Sequence, residues 1–358
     1  MKLVKILAPV FLLILIVIGG SIYWLYSSLN TPNTHDKSNQ FIVIEKGSSP
    51  SQILSQLSSE GILTAETATK IYLRTLGDAG KLQAGEYQFS SPITPLQLLK
   101  ELEKGETQTI KLTIPEGFSR FDIAKRIVEK FPQNPPVTEQ AVLLLMEDTT
   151  AISDIAPTAK NLEGYMYPST YSFNRDVKPE TVIATMTAQF KKIWKPEYTT
   201  RARELGRSPH EIVTIASLVE TESKFEDERP IVASVIYNRI AKSIPLGIDQ
   251  TAVYVAKMQN RWDGTINKSD LEADSPYNTR RYGGIPPGPI SSVSQNAIEA
   301  ALNPAQTDFI YYVLNVEAND GSHHFFASAS EFERGKAAYQ RWLEEQRRLK
   351  RESENSQQ

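Results

Sequence analysis

An uninterrupted apolar run near the start of the chain restricts its architecture more than any other feature of the sequence. Residues 6–25, ILAPVFLLILIVIGGSIYWL, carry no charge, and a helix of about 20 apolar residues is long enough to cross a bilayer core. Lys2 and Lys5 precede the run, whereas the first charge after it is Asp36, so the positive-inside rule places the N-terminus in the cytoplasm. A cleaved signal peptide is the alternative, but the run is long and lacks a small-x-small cleavage site. We therefore predict an uncleaved single-pass anchor.

Composition excludes several classes of function. The formal net charge is -3, with 39 basic and 42 acidic side chains spread along the chain, which argues against a nucleic-acid-binding protein. The chain has no cysteine, which excludes disulfides, thiol nucleophiles and thiolate metal sites. Its histidines do not have the HExxH spacing of a zinc site. We predict neither a metal nor a cofactor.

The length of 358 residues predicts two folded domains, or one large domain with an appendage, outside the membrane. The polar segment after the apolar run has no apolar period, which is typical of a flexible linker. The predicted parts are a cytoplasmic N-terminus (1–5), the span (6–25), the linker (26–40), an α+β region (41–155), a larger α+β domain (156–345) and a polar tail (346–358).

A strand, turn and helix pattern occurs twice in the first α+β region. FIVIEKGSSPSQILSQL, which begins at Phe41, has the pattern once, and KLTIPEGFSRFDIAKRI repeats its apolar and glycine positions, with Ile44 and Ile114 equivalent. Residues 85–105 between them predict a further strand, turn and helix, with Pro95 near the helix start. Modules of this kind resemble LysM modules, which bind chains of N-acetylated sugars. A spacer without a ligand is the alternative.

Two glutamates lie in a segment that is otherwise patterned like a buried helix, IASLVETESKF (215–225). A capping box that begins at Ser208, with proline at the first helical position, fixes the register of this helix. In that register Glu222 lies on the shoulder of the apolar stripe. Glu220 projects roughly 160° around the helix from Glu222. The two carboxylates therefore cannot face one substrate together, and we expect them to have different roles.

Glu222 has the surroundings of a general acid. A carboxyl against apolar side chains has a raised pKa and can stay protonated near neutral pH; the alternative is a glutamate that simply reaches solvent. Ordinary glycoside hydrolysis needs two carboxylates about 5 to 9.5 Å apart, and Glu228 and Asp249 are the nearest candidates in the sequence. A cleavage in which a hydroxyl of the sugar itself attacks needs only one carboxyl, acting first as acid and then as base.

The motifs around these glutamates resemble those of the endolytic murein transglycosylases, the MltG or YceG-like family. The most specific block is ASLVETESKFEDERPIVASVIYNRI followed by PLGIDQTAVY, where the family shows E-x-E-[ST], E-R, V-A-S-V and N-R. SPYNTRRYGGIPPGPI, LEGYMYPSTYSF, FIYYVLN and GSHHFF are similar to further family elements, so the resemblance covers most of the chain. The second glutamate of the E-x-E pair is catalytic in the family. The resemblance therefore implies that Glu222 is the catalytic residue.

The resemblance and the local sequence together suggest the residues around the catalytic one. Candidate substrate-binding residues are Tyr277, Asn278, Asp249, Thr251, Asn238, Glu163, Tyr167 and His323. Candidate supporting residues are Ser223, Glu220, Glu228 and Arg239. Positions that depart from the family pattern are Ser169, Gln250, Ser292, Val293 and Phe332.

Several of these residues also have a purely structural interpretation. Asn278 can cap its own turn, and Asp249 and Thr251 can cap the helix that follows them. Arg239 can form an ion pair with Glu228 as structural support. The aromatic cluster of LEGYMYPSTYSF can be core or a platform on which sugar rings stack.

The resemblance implies a bacterial inner-membrane enzyme with a mixed α+β catalytic domain and a lysozyme-like catalytic helix. It implies cleavage of nascent peptidoglycan between MurNAc and GlcNAc, with 1,6-anhydroMurNAc ends that terminate strand elongation, beside the peptidoglycan synthases. Two alternatives remain. One is a non-catalytic glycan-binding anchor, and the other is a muramidase with Glu228 or Asp249 as its second carboxylate.

Overall fold

The computed structural model describes residues 2–105 and 109–355, with the side chains of 11–105, 109–349 and 351–352. The described residues form two compact units. The first contains the residues up to Ile110 together with Ser172–Arg175, and the second contains the others. Both units combine helices with short two-stranded sheets, which confirms the predicted α+β class.

The first unit consists of a long helix followed by a small module. Its elements are α1 (Lys2–Asn30), β1 (Ile42–Ile44), α2 (Pro50–Ser59), α3 (Glu66–Thr75), β2 (Gly85–Tyr87) and α4 (Pro95–Lys104). Strand β1 pairs antiparallel with β2. The core of the module is formed by apolar side chains of these two strands and of α2 and α4, including Ile44, Leu54, Leu57, Leu98 and Leu102.

The second unit holds most of the chain. Its elements are β3 (Ile110–Ile114), α5 (Arg120–Lys130), α6 (Glu139–Leu145), β4 (Ser169–Phe173), α7 (Pro179–Ile193), α8 (Pro196–Glu204), α9 (Pro209–Glu222), α10 (Arg229–Ala241), α11 (Asp249–Met258), α12 (Lys268–Leu271), α13 (Gln295–Leu302), β5 (Tyr311–Leu314), β6 (His323–Phe326) and α14 (Ala329–Asn355). The first residue of β3 and the last two of β4 are assigned to the first unit. Strand β3 pairs with β4, and β5 pairs antiparallel with β6.

Helix α1 contains the apolar segment that the sequence predicted to span a membrane. Residues Phe11–Asn30 are long and apolar enough to cross a bilayer, and no other described helix meets that condition. Their side chains are mostly uncovered by protein, with Phe11 and Ile22 each 63% exposed. This is consistent with a single-pass anchor. The side chains of residues 6–10, where the predicted span begins, lie outside the described ones.

Residues 26–40, which were predicted to be a flexible linker, are instead ordered on the first unit. Helix α1 continues into this segment. Asn33 and Ile93 then exchange two backbone hydrogen bonds of 2.8 and 3.0 Å. The side-chain amide of Asn33 donates to the carbonyl oxygens of Gly61 and Ile62, both at 2.8 Å. The prediction was wrong because a polar side chain that bonds backbone carbonyls orders a segment without any apolar period.

The repeated strand, turn and helix segments form as predicted. Gly47 and Gly117 make the two turns with positive φ angles of 89° and 76°, and Ser49 and Ser119 close capping boxes at the starts of α2 and α5. Helix α3 was not predicted; its N-cap residue, Ala65, makes no capping hydrogen bond, so the sequence carries no start signal there. The likeness to LysM modules stays a prediction.

The C-terminal helix is longer than expected. Residues 346–358 were predicted to be a polar tail, but α14 continues to Asn355, and residues 356–358 lie outside the described part of the chain. Arg348 and Glu352 form an ion pair at 3.7 Å one helical turn apart, the kind of spacing that supports an exposed helix.

Helix α9 is buried on all sides. Its start is the predicted one, because the Ser208 hydroxyl accepts from the Glu211 N–H at 3.2 Å and the Glu211 carboxylate accepts from the Ser208 N–H at 2.8 Å. Every residue from Ile212 to Glu220 is buried, where the sequence period predicted a single apolar stripe. The helix packs against α8, α10, α11 and α13, as expected for a core helix.

Two loops fix the position of α9. The Ile290 N–H, at the end of the proline-rich loop, donates to the Ser217 hydroxyl of α9 at 3.1 Å. Gly164 has a φ of +81°, and a Cβ there would lie only 2.6 Å from Pro289 and 3.0 Å from Val213 of α9. Only glycine fits this close approach, so the motif around Gly164 packs the loop against the helix.

Candidate active site

Glu222 is the last residue of α9 and is half-buried. Its carboxyl accepts a hydrogen bond from a tyrosine hydroxyl. The Tyr312 hydroxyl, on β5, donates to Oε2 of Glu222 at 2.5 Å. Burial raises the pKa of the Glu222 carboxyl above its ordinary value and outweighs the hydrogen bond from Tyr312, which lowers it. The charge of Asp249 raises this pKa further, while His323 and Arg239 lower it. A carboxyl in this environment is suited to give up and regain a proton.

Sequence reasoning missed Tyr312. A tyrosine among aromatic residues of a strand is usually core, and this one lies 90 positions after Glu222. The structure supplies what the sequence lacked, because Tyr312 pairs with Phe325 and Leu314 with His323 in the β5–β6 register. Alternate residues of paired strands share a face, so a histidine predicted at the site indicates the tyrosine diagonal to it.

His323 lies against Tyr312 and is held by Glu228. Its Nδ1 is 2.8 Å from Oε2 of Glu228, and its backbone N–H donates to Oε1 of the same carboxylate at 2.7 Å. The imidazole and the Tyr312 ring meet edge to face, with centroids 5.4 Å apart. The predicted site residue His323 thus lies beside the Glu222–Tyr312 pair. Glu228 is its partner, which corrects the suggestion that Glu228 pairs with Arg239.

Asn238 and Arg239 connect α10 to the segment that enters β5. Arg239 donates through Nε to the Ile310 carbonyl at 2.6 Å and through Nη1 to the Leu246 carbonyl at 2.5 Å. The Asn238 amide donates to two carbonyls of residues 307–309, both at 2.9 Å. Because backbone carbonyls take up its amide hydrogens, Asn238 supports the hairpin in this structure, where the sequence predicted a substrate contact.

Asp249 is exposed and acts on Glu222 through its charge. It is the first residue of α11, and its carboxylate forms an ion pair with Arg280 at 2.5 Å. The N-cap of α11 is Ile248, so Asp249 is not the capping residue. Its negative charge raises the pKa of Glu222, which leaves Asp249 as the acidic side chain best placed to affect chemistry there.

Two residues predicted to bind substrate, Thr251 and Asn278, are completely buried. The Thr251 hydroxyl donates to the Ile248 carbonyl at 2.6 Å. The Asn278 amide donates to the carbonyls of Leu271 and Ala273 at 3.0 and 2.9 Å. Neither side chain has surface for a sugar, so the structure corrects both assignments. It supports the alternative that Asn278 stabilises its turn, whereas Thr251 lies within α11 and is not its capping residue, which is Ile248.

Glu163 and Tyr277 belong to a second buried cluster around Tyr254. Glu163 is 1% exposed and accepts from the Arg120 backbone N–H at the start of α5, at 2.9 Å. Burial raises its pKa to about 7, against the hydrogen bond and charge of Arg120. The rings of Tyr254 and Tyr277 pack with centroids 5.1 Å apart. The structure thus groups these two predicted site residues around Tyr254.

Glu220 lies on the other side of α9 from Glu222, as the helix period predicted, in a buried ion pair. Nη2 of Arg229 donates to its Oε1 at 2.7 Å, and the N–H and hydroxyl of Ser294 donate to Oε2 at 2.8 and 2.6 Å. The side chains of Glu220 and Arg229 are 2% and 6% exposed. Burial raises the pKa of Tyr167, a predicted substrate contact, and the nearby charge of Glu220 adds to the rise. Glu220 therefore joins α9 to α10 and α13.

Ser223, predicted as a supporting residue, ends α9. It is 3% exposed, and its N–H donates to the Val219 carbonyl at 3.1 Å. Its hydroxyl donates to the Phe225 carbonyl at 3.0 Å. Both polar groups thus stabilise the turn directly after Glu222. Over the described ranges, no group of three or more histidine or acidic side chains could hold a metal ion.

We expect Glu222→Gln to be more stable than the native protein at neutral pH. The pKa of Glu222 is raised in the folded state, so its contribution to stability is fully present below the unfolded pKa and is lost as the pH rises through the folded pKa. Glutamine cannot ionise and has no such loss. Urea unfolding of the detergent-solubilised full-length proteins between about pH 4 and about pH 8 measures this difference. Glu226→Gln, at an exposed position, is the control, and equal pH dependence of native and Glu222→Gln protein would contradict the prediction.

Comparison with known proteins identifies the family of the chain. The profile of the YceG-like family matches residues 42–338. The chain is 31% identical over 340 residues to the endolytic murein transglycosylase of Bacillus subtilis (strain 168), covering 90% of this chain and 91% of that one. It is 30% identical over 339 residues to the protein of the same name from Streptococcus pneumoniae serotype 2, covering 86% of this chain and 60% of that one.

A solved structure is also similar. The crystal structure of a YceG-like protein from Listeria monocytogenes, at 2.6 Å, matches with a TM-score of 0.55 and 31% sequence identity, covering 82% of this chain and 97% of that one. The family profile extends over both units, from β1 to the first part of α14. The chain belongs to the YceG-like family.

Proposed function

We propose that this protein is an endolytic peptidoglycan lytic transglycosylase, which cleaves glycan strands between MurNAc and GlcNAc and leaves 1,6-anhydroMurNAc ends. The observation that carries the proposal is the Glu222 carboxyl, with its raised pKa and its hydrogen bond from Tyr312. Relatives at 30–31% identity are named endolytic murein transglycosylases, and the resemblance of the E-x-E motif to that of the family supports Glu222 as the catalytic residue.

In the proposed reaction one carboxyl acts twice. Protonated Glu222 donates its proton to the glycosidic oxygen as the bond from that oxygen to C1 of MurNAc breaks, and the N-acetyl group stabilises the positive charge on the sugar. The resulting carboxylate then takes the proton of the C6 hydroxyl of the same MurNAc, whose oxygen bonds to C1. The proton is thereby returned to Glu222, and no water is consumed. A carboxyl with a raised pKa suits both steps.

The membrane anchor completes the proposal. Helix α1 spans the bacterial inner membrane, with its N-terminus in the cytoplasm and the residues after it on the outer side, where peptidoglycan lies. The lysines before the apolar run and the lack of any charge until Asp36 support this orientation. Anchoring keeps the enzyme near newly made strands and beside the synthases, so that cleavage ends strand elongation.

The strand, helix, helix, strand order of the first unit supports a LysM-like role in holding a glycan strand. Helix α9 of the second unit is buried and ends at Glu222, the proposed catalytic residue. These two features support its assignment as a lysozyme-like catalytic helix. Both are parts of the proposal that follow from family resemblance and from the order of the elements.

A muramidase is the second candidate, because Asp249 affects the pKa of Glu222. Hydrolysis of the same bond needs a second carboxylate, about 5 to 9.5 Å from the acid. Asp249 is exposed and paired with Arg280, which favours a role in local charge balance over one as nucleophile or base.

The ends of the products distinguish these functions. We would incubate the full-length protein in detergent with uncrosslinked glycan strands and identify the new ends by mass spectrometry. Anhydromuramic ends, also formed by Asp249→Asn, are the result expected for a lytic transglycosylase. Reducing ends that are lost in Asp249→Asn would identify a muramidase, and strands that bind but stay uncut would identify a non-catalytic anchor.

A further inference from the structure

The two oxygens of the Glu222 carboxyl have different surroundings. Oε2 accepts the hydrogen bond from the Tyr312 hydroxyl at 2.5 Å. Within the part of the chain that the structure describes, Tyr312 is the only side chain that donates to Glu222. An oxygen that already accepts a hydrogen bond from a hydroxyl is the poorer place for a proton of its own. The proton of the acid form therefore belongs on Oε1.

Tyr312 is well suited to hold one oxygen in place. Its pKa is raised well above the ordinary value, chiefly by burial and then by the charge of Glu222, so its hydroxyl stays a donor throughout the neutral range. Its ring packs edge to face on His323, 5.4 Å between centroids, and lies 6.0 Å from the Phe325 ring. Because Glu228 fixes His323 in turn, the hydroxyl is held from several sides.

We propose that Tyr312 is a positioning residue of the transglycosylase reaction: its hydroxyl holds Oε2 of Glu222, so that Oε1 is the oxygen that gives and takes the proton. This inference rests on the proposed function. Between the two steps Glu222 is a carboxylate, and a charge-assisted hydrogen bond from Tyr312 stabilises that form. The same bond keeps the carboxyl from rotating, so one oxygen faces first the glycosidic oxygen and then the C6 hydroxyl.

Tyr312→Phe removes the donor and keeps the ring. We expect the pKa of Glu222 to rise, because its carboxylate loses a stabilising hydrogen bond. We expect kcat to fall about 10- to 100-fold, the size of one charge-assisted hydrogen bond, with little change in KM. The alkaline limb of the pH profile of kcat moves to higher pH. The other charged groups that act on Glu222, namely Asp249 on α11, Arg239 on α10 and His323 on β6, are unchanged in the variant.

Tyr198→Phe is a matched control. The Tyr198 hydroxyl also donates to a glutamate, Glu299, at 2.6 Å, between α8 and α13. Its loss removes the same type of hydrogen bond from the same unit without touching Glu222. We expect this control to have the kcat and the pH profile of the native protein.

The direct test is a difference infrared titration of the Glu222 carboxyl in the full-length protein, with Glu222→Gln to assign the band. The expected result is that the pH midpoint of the Glu222 carboxyl band is higher in Tyr312→Phe than in the native protein and is unchanged in Tyr198→Phe, together with the fall in kcat. An unchanged pH midpoint in Tyr312→Phe would overturn the inference, and so would a native kcat with an unchanged pH profile. Tyr312→3-fluorotyrosine keeps the shape of the side chain and gives a stronger donor. It must therefore lower the pH midpoint of the Glu222 carboxyl band, even if the phenylalanine variant folds poorly.

The titration needs no substrate and is therefore independent of the proposed function. If the native protein cuts no glycan, the proposed function fails, and the band still shows whether Tyr312 holds Oε2. If the native protein makes anhydromuramic ends and Tyr312→Phe matches it in both measurements, the proposed function stands and the role of Tyr312 is refuted.

Discussion

Replacement of Glu222 by glutamine is expected to lower the rate of glycan cleavage by at least about 10³-fold, within the range by which general acid–base catalysis accelerates a reaction. Glutamine has nearly the same shape but cannot transfer a proton, and both proposed steps need that transfer at the same carboxyl. The side chain can still accept the hydrogen bond from Tyr312, so the surroundings of the site are retained. The rate at which anhydromuramic ends appear, measured by mass spectrometry, checks the prediction.

Two controls show that the loss is chemical. Glu226→Gln changes an exposed glutamate in the turn after α9 and is expected to cleave at the native rate. Glu222→Gln is expected to cosediment with glycan strands as the native protein does, because it loses catalysis and keeps its binding surface. Anhydromuramic ends formed by Glu222→Gln at the native rate would rule out Glu222 as the acid. Combined with the higher stability expected of this variant at neutral pH, the result would show a catalytic group that is retained at a cost in stability.

Arg229→Met is expected to reduce the free energy of unfolding by about 3 to 5 kcal/mol. The substitution leaves the Glu220 carboxylate buried, 2% exposed, without its cation. Ser294 still donates two hydrogen bonds, but these do not neutralise a charge away from water. Urea unfolding of the full-length protein at neutral pH measures the loss, and at acid pH the loss is expected to shrink because Glu220 can then be protonated.

A double variant and a surface pair complete this test. Glu220→Gln with Arg229→Met removes both charges and is expected to be less destabilised than the sum of the two single variants. Lys268→Met breaks an exposed pair, Lys268–Glu272 at 3.6 Å with side chains 86% and 65% exposed, and is expected to cost about 1 kcal/mol or less. A loss of that small size in Arg229→Met would contradict the view that Glu220 anchors α9.

Features whose causes are local could be predicted from the sequence. The capping box at Ser208 fixed the start and register of α9, and hence the placing of Glu220 and Glu222 on different sides of it. The glycine turns and serine caps of the repeated segments likewise predicted the strands and helices around them. In each case the hydrogen bonds that shape the element lie within a few residues of one another.

Features whose causes are distant in the sequence could not. Asn278 is of a residue type that is common in binding loops, but its amide is buried and donates to carbonyls of α12 and of the loop after it. Asn33 orders the predicted linker through carbonyls 28 and 29 residues away. Tyr312 and Glu222 meet only because the β5–β6 hairpin is fixed to α10. Such contacts depend on tertiary packing, on which local propensity gives no information.

The hairpin that carries Tyr312 has a consequence for how the enzyme is made. Glu222 is synthesised 90 residues before Tyr312, and the hairpin that follows is held by Asn238, Arg239 and Glu228. A chain that folds as it grows therefore contains the acid before the group that orients it has been made. A copy that ended before β5 would contain the acid without its orienting hydrogen bond, so the full rate of the proposed reaction depends on residues translated long after Glu222.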